Sequence, residues 1–164
     1  MGLDNSGKTS ILLSLQKTTN LLSYFSLKPT QGLNIVKLED GGHEFSVWDL
    51  GGQEKYRDEY LQNMEKFTGE ADKIIFVIDV QDIPRYEAAL NYMTEIVNRI
   101  KSDQVEFSIF LHKFDPGIEE IASFSADKIS STLLNRINSM ISDKYKYNIF
   151  KTTIFTVFQK TLLQ

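Results

Sequence analysis

The sequence contains no cysteine. That removes disulfides, thiolate metal sites and cysteine nucleophiles together, and it fits a reducing, cytoplasmic setting. Long apolar runs are also missing. The longest, Ile74 to Ile78, is far too short to cross about 30 Å of hydrocarbon, and no signal-peptide pattern is visible. There is no excess of positive charge either. The net charge of −4 provides no field for nucleic acid or anionic membrane, so no nucleic-acid partner is expected and membrane association is unsupported. Repeats, low-complexity tracts and linkers are absent, and 164 residues read as a single domain over 1–164. At that length roughly two-thirds of the unfolded surface can be buried, enough for a real core.

What is present alternates between two periodicities. Apolar Ile11, Leu12, Leu15 and Leu22 predict a helix from Lys8 to about Ser23. Leu33 to Leu38 and Glu44 to Asp49 flank a glycine turn and predict an antiparallel hairpin. The polar stretch from Gln53 to about Lys66 reads as partly helical. Lys73 to Val80, apolar nearly throughout, reads as a buried strand. Arg85 to Lys101 carries Tyr86, Ala89, Leu90, Met93, Ile96, Val97 and Ile100 at three-four spacing, the mark of an amphipathic helix. Val105 to Leu111 predicts another strand. Ser125 to about Lys144 predicts a second strong helix, Asn148 to Thr153 a last strand, and Thr156 to Gln164 the beginning of a final helix. Strands alternating with helices imply an α/β fold of three layers, with a mostly parallel sheet. Ligands in such sheets bind beyond the carboxyl ends of the strands.

Four stretches at those ends carry chemistry. Gly2, Gly7, Lys8 and Thr9 fit G-x-x-x-x-G-K-[ST]. Glycines let the loop bend so that backbone N–H groups face phosphates; the lysine reaches the β- and γ-phosphates and the threonine hydroxyl takes Mg²⁺. The same start matches a myristoylation pattern through Gly2 and Ser6. A lipid there needs a free, flexible terminus, which a phosphate cradle cannot be. In Trp48-Asp49-Leu50-Gly51-Gly52-Gln53, Asp49 ends a strand where a carboxylate can hold Mg²⁺ through water. Gly52 lets an N–H approach a γ-phosphate, and Gln53 is placed to orient an attacking water. In Pro29-Thr30-Gln31-Gly32, the Thr30 hydroxyl can complete the Mg²⁺ shell. In His112-Lys113-Phe114-Asp115, the Asp115 carboxylate can accept from guanine N1 and N2, a donor pair adenine lacks.

GLDNSGKTS, PTQGLNI and WDLGGQEKYR resemble the Arf and Arf-like branch of small GTPases, in the right order over nearly the whole chain. HKFD departs from that branch, which has Asn-Lys-x-Asp, and is similar to the Rag/Gtr GTPases. The resemblance implies a P-loop NTPase fold with an antiparallel edge hairpin. It also implies GTP/GDP and Mg²⁺ as bound groups, slow GTP hydrolysis, and two switch loops around Thr30 and from Asp49 to about Tyr60. By position, Gly2, Asp4, Asn5, Ser6, Gly7, Lys8, Thr9 and Ser10 hold phosphates; Thr30 and Gly52 contact the γ-phosphate side. His112, Lys113 and Asp115 form the base pocket, with Thr153 lending a backbone N–H. Thr9, Thr30 and Asp49 form the metal set, and Gln53 is the water-positioning catalytic residue. Expected partners are a GTPase-activating protein, a nucleotide-exchange factor and effectors, with a GTPase–GTPase dimer also open.

In that fold a central strand precedes the phosphate loop, whereas here only Met1 does. The expectation is that Met1 is the last residue of such a strand and that the natural reading frame begins upstream. The final helix also looks short. Two functional classes are open: a hydrolysing switch, and a Rag-type nucleotide-binding scaffold with little hydrolysis. An ATPase is disfavoured by Asp115.

Overall fold

The computed structural model describes residues 1–16, 19–101, 105–141 and 144–155. Its helices and strands run α1 (Lys8–Ser14), α2 (Leu21–Phe25), β1 (Leu33–Asp40), β2 (His43–Leu50), α3 (Glu54–Gln62), α4 (Met64–Thr68), β3 (Lys73–Asp79), α5 (Tyr86–Arg99), β4 (Glu106–His112), α6 (Ala126–Ile129), α7 (Asn135–Ile141) and β5 (Tyr147–Lys151). The α/β alternation read from the sequence is present. A five-residue π-helical stretch, Ser130–Leu134, joins α6 to α7, so the expected long helix is continuous but widened in its middle. The helix expected from Lys8 to Ser23 is instead two pieces, and Asn20 caps the second by accepting from the Ser23 N–H at 3.1 Å. Apolar spacing alone did not reveal that break, because Leu22 fits the stripe yet stays exposed.

Strands β3, β4 and β5 form a parallel sheet in that order. On one face Ile74, Phe76 and Ile78 lie beside Phe107, Ile109 and Leu111, and all six are buried. They meet the α5 stripe of Ala89, Leu90, Met93, Ile96 and Val97, together with Ile129, Leu133, Ile137 and Ile141 from the α6–α7 segment. The three-four periodicity of α5 thus has a direct cause: each apolar position faces the sheet or the neighbouring helix. Among the described residues no helix is long and apolar enough to cross a membrane. The helix expected from Thr156 lies outside the described residues.

The hairpin β1–β2 is antiparallel, from Leu33 opposite Leu50 to Asp40 opposite His43. Its turn is tighter than the sequence reading had it, two residues only. Gly41 and Gly42 both have positive φ, 57° and 80°, the backbone that lets a two-residue turn follow the twist of its strands. The hairpin forms a sheet of its own, separate from β3–β4–β5, rather than the joined edge that was expected. Met1 lies alongside β3. Its amine donates to Ile75 O at 2.7 Å and its carbonyl accepts from Val77 N at 2.9 Å. One residue bonding to j−1 and j+1 of its neighbour is the parallel-strand pattern. Met1 therefore aims the loop after it toward the edge where β3, β4 and β5 end.

Candidate nucleotide site

The loop from Gly2 to Gly7 is shaped by three positive φ angles, at Gly2 (133°), Asn5 (58°) and Gly7 (92°). Both glycines also have no room for a side chain. A Cβ on Gly2 would lie 2.3 Å from Val77 O, and one on Gly7 would lie 2.3 Å from the His112 ring. Ser6 is buried and its hydroxyl donates to Leu3 O at 2.9 Å, closing the loop from inside. Asn5 is exposed at the tip, and Ser10 is half-buried in the first turn of α1. Lys8 curls back over the loop, donating to Gly2 O at 3.0 Å and to Leu3 O at 2.6 Å. Burial lowers its ammonium pKa to about 8, against the pull of Asp49 and Asp4; Arg57 and Arg85 add to the lowering. A cation held at such a cost in desolvation is poised for an anion.

Residues far apart in sequence meet beside this loop. Thr9 Oγ1 donates to Asp49 Oδ2 at 2.6 Å, and Thr30 Oγ1 donates to the same oxygen at 3.1 Å. The two hydroxyls are 2.8 Å apart. Asp49 is buried at the end of β2. Three hard oxygens on one point suit Mg²⁺, which prefers one or two protein carboxylates completed by phosphate and water. The set holds only one carboxylate, so phosphate oxygens are needed to complete a shell. Gly51 N donates to Gly32 O at 2.8 Å, tying the strand end to the Thr30 loop. Gly52 O accepts from Asp4 N at 3.1 Å, and a Cβ on Gly52 would lie 2.2 Å from Leu3 C. Gln53 follows, half-buried at the N-terminus of α3.

The second half of the site lies beyond β4 and β5. Lys113 has φ 59°, and its ammonium pairs with Asp79 Oδ2 at 2.5 Å. Asp115 Oδ1 accepts from the Thr153 hydroxyl at 2.5 Å and Asp115 Oδ2 from Gln81 Nε2 at 2.8 Å. The structure thus gives Thr153 a side-chain contact where the sequence reading gave it a backbone N–H. His112 is buried, with Nδ1 2.9 Å from the Thr152 hydroxyl and its ring edge against Gly7. Burial and the Lys113 ammonium push its pKa below the ordinary value, while Asp79, Asp115 and Thr152 oppose. In this geometry the histidine joins the base-side loop to the phosphate loop.

Sequence reasoning missed two contributors. Gln81 and Arg85 follow β3, at a strand end like the other site residues, but neither belongs to a recognisable spacing pattern. Arg85 donates from Nη1 to Asp4 Oδ1 at 2.9 Å and from Nη2 to Asp4 O at 3.1 Å, and from Nε to Asp82. Arg57, in α3, is half-buried with its guanidinium 5.3 Å from the centre of the Tyr92 ring.

The model of the ADP-ribosylation factor family matches residues 1–159. This chain belongs to that family. The Arf-family chain is 35% identical over 133 residues to ADP-ribosylation factor-like protein 3 of Chlamydomonas reinhardtii, covering 81% of this chain and 68% of that protein. It is 32% identical over 153 residues to an ADP-ribosylation factor-like protein of Dictyostelium discoideum, covering 85% and 81%. In structure it resembles the Arl6 BBS3 small GTPase of Trypanosoma brucei with a bound nucleotide analogue, GppNp. The TM-score is 0.68 at 24% identity, over 93% of this chain and 83% of that one. That likeness carries the fold: this Arf-family protein has a small-GTPase fold, with a parallel three-stranded sheet and an antiparallel hairpin.

Proposed function

We propose that the protein is a GTP-binding switch that hydrolyses GTP slowly and changes its partner-binding surface through two loops. The reading is carried by one observation: Thr9, Thr30 and Asp49, from three separate segments, meet on a single carboxylate oxygen beside Lys8 and its glycine loop. Mg²⁺ would be held by Thr9, Thr30 and Asp49; when bound it supplies charge neutralisation of the phosphate chain. Lys8 exchanges its two carbonyl partners for β- and γ-phosphate oxygens. Gly2, Asp4, Asn5, Ser6, Gly7 and Ser10 shape the loop and its walls. Asp115, held by Thr153 and Gln81, accepts from the guanine edge, and the Lys113 stem lies along the base. The γ-phosphate favours the arrangement with Thr30 and Gly52 docked, and its loss releases both loops.

Gln53 orients the attacking water, and its general role sets the expectation for rate. Among the described residues, the arginine hydrogen-bonded to the phosphate loop, Arg85, is engaged by Asp82 and Asp4, and Arg57 lies against the Tyr92 ring, so neither is aimed at charge developing on the transferring group. Slow turnover and acceleration by an activating protein follow. Exchange factors and effectors are the other partners this cycle needs.

The decisive measurement is the nucleotide content of purified protein, with and without magnesium, followed by single-turnover hydrolysis. GTP or GDP near one equivalent, lost in chelator, is the expected result, with Gln53→Leu slowing hydrolysis at least tenfold. ATP preferred over GTP would overturn the base assignment. A Gln53→Leu rate equal to the parent, with binding intact, would favour the Rag-type scaffold, the reading that His112 in the base loop makes specific.

A further inference from the structure

The phosphate loop carries a carboxylate of its own. Asp4 lies between Gly2 and Lys8, in the segment whose backbone must face a chain of phosphates. An unneutralised acid there would repel the ligand the loop is built for. We infer that Arg85 is a positioning residue of the nucleotide site: it neutralises Asp4 and fixes the loop backbone to the junction between β3 and α5, and so sets nucleotide affinity. The inference rests on the nucleotide reading above and deepens it.

Three features of the contact go beyond an ordinary surface ion pair. It is forked: one guanidinium nitrogen takes Asp4 Oδ1 at 2.9 Å and the other takes the Asp4 carbonyl at 3.1 Å. Side chain and backbone of the same loop residue are therefore held together, a geometry lysine cannot reproduce with a single nitrogen. The arginine is also oriented in advance. Its Nε donates to Asp82, its own N–H donates to Asp82 O at 3.0 Å, and it closes a short 3₁₀ turn, Ile83–Arg85, that contains Pro84. Finally, Asp4 is a junction. Its N–H bonds Gly52 O at 3.1 Å, so the residue that Arg85 grips also bears the second switch loop.

Arg85 and Asp4 are each more than a third exposed, 35% and 39%, so solvent screens the pair. The effect expected is accordingly moderate, about five- to tenfold in affinity. It should appear mainly in the dissociation rate, because the arginine shapes a formed site rather than steering encounter.

The test is a charge cycle on the full chain: parent, Arg85→Gln, Asp4→Asn, the double variant and Arg85→Lys, each measured for GDP and GTP-analogue affinity with magnesium at low and high salt. Arg85→Gln should weaken binding about five- to tenfold, less at high salt, while in the Asp4→Asn background the same change should cost under twofold. Arg85→Lys should recover part of the loss. If Arg85→Gln unfolds, as seen by circular dichroism, Arg85→Lys with and without Asp4→Asn carries the same comparison. Unaltered affinity in Arg85→Gln overturns the inference, as does an equal loss in both backgrounds, which marks a merely structural residue. A slower single turnover with unchanged affinity also overturns it, and makes the arginine catalytic. A parent protein with no nucleotide affinity removes the switch reading itself, an outcome distinct from all of these.

Discussion

His112 shows how one residue can couple two loops. Its ring touches Gly7 on the phosphate side and bonds Thr152 on the base side, and burial pushes its pKa below the usual histidine range. Charging it in place would put a cation against Lys113 and a glycine turn with no new acceptor. A histidine with a lowered folded-state pKa binds fewer protons folded than unfolded, so stability is complete above the unfolded value of about 6.5 and declines as pH falls below it. The decline continues until the folded-state pKa is reached. Chemical denaturation of the parent should therefore show stability falling between pH 7 and pH 5. Part of that fall should be missing in His112→Asn, which cannot be charged. If both proteins lose stability identically over that interval, His112 is not the titrating group.

At the scale of elements, the loop after β2 is held by contact rather than by sequence-local structure. Gly51 is fixed to Gly32, and Gly52 lies against Leu3 and Asp4 so closely that a Cβ would come within 2.2 Å of backbone atoms. Backbone cannot yield as a flexible side chain does. Gly52→Ala should push the second switch loop off the phosphate loop. A GTP analogue should then lose about tenfold or more of its affinity relative to GDP, because only the triphosphate needs that loop docked. Equal losses for the two nucleotides would place the strain elsewhere. The candidate site was legible in sequence wherever a spacing encodes a turn followed by a polar or charged group, as from Gly2 to Thr9, from Asp49 to Gln53 and at Asp115. It was less legible where the group acts through another. Arg85 sits in no spacing pattern, and Gln81 is a lone polar residue past a strand end. The break between α1 and α2 was hidden because Leu15 and Leu22 keep helical spacing although both are exposed.

At the scale of the molecule, the fold's alternation and the α5 stripe were readable because burial imposes a period. How the sheets join was not, since a strand pattern specifies faces and says nothing of which edge meets which. The consequence is a site assembled at a seam. Met1 and the phosphate loop are bonded to Ile75 and Val77 of β3 and to Gly52, just beyond β2. A ligand touching Lys8, Thr30, Asp49 and Asp115 at once would bridge both sheets, and whatever binds only the folded form stabilises it by RT ln(1 + [L]/Kd). Saturating GDP with Mg²⁺ at about a thousand times Kd should raise unfolding free energy by about 4 kcal/mol. For a domain of this size that is a rise of roughly 10 °C in melting temperature. Chelator should remove most of the gain if Thr9 and Asp49 hold Mg²⁺ as proposed, and Lys8→Ala should remove nearly all of it. Thermal unfolding followed by circular dichroism with nucleotide, metal and chelator reads each step; a melting temperature indifferent to nucleotide would mean that nothing spans the seam.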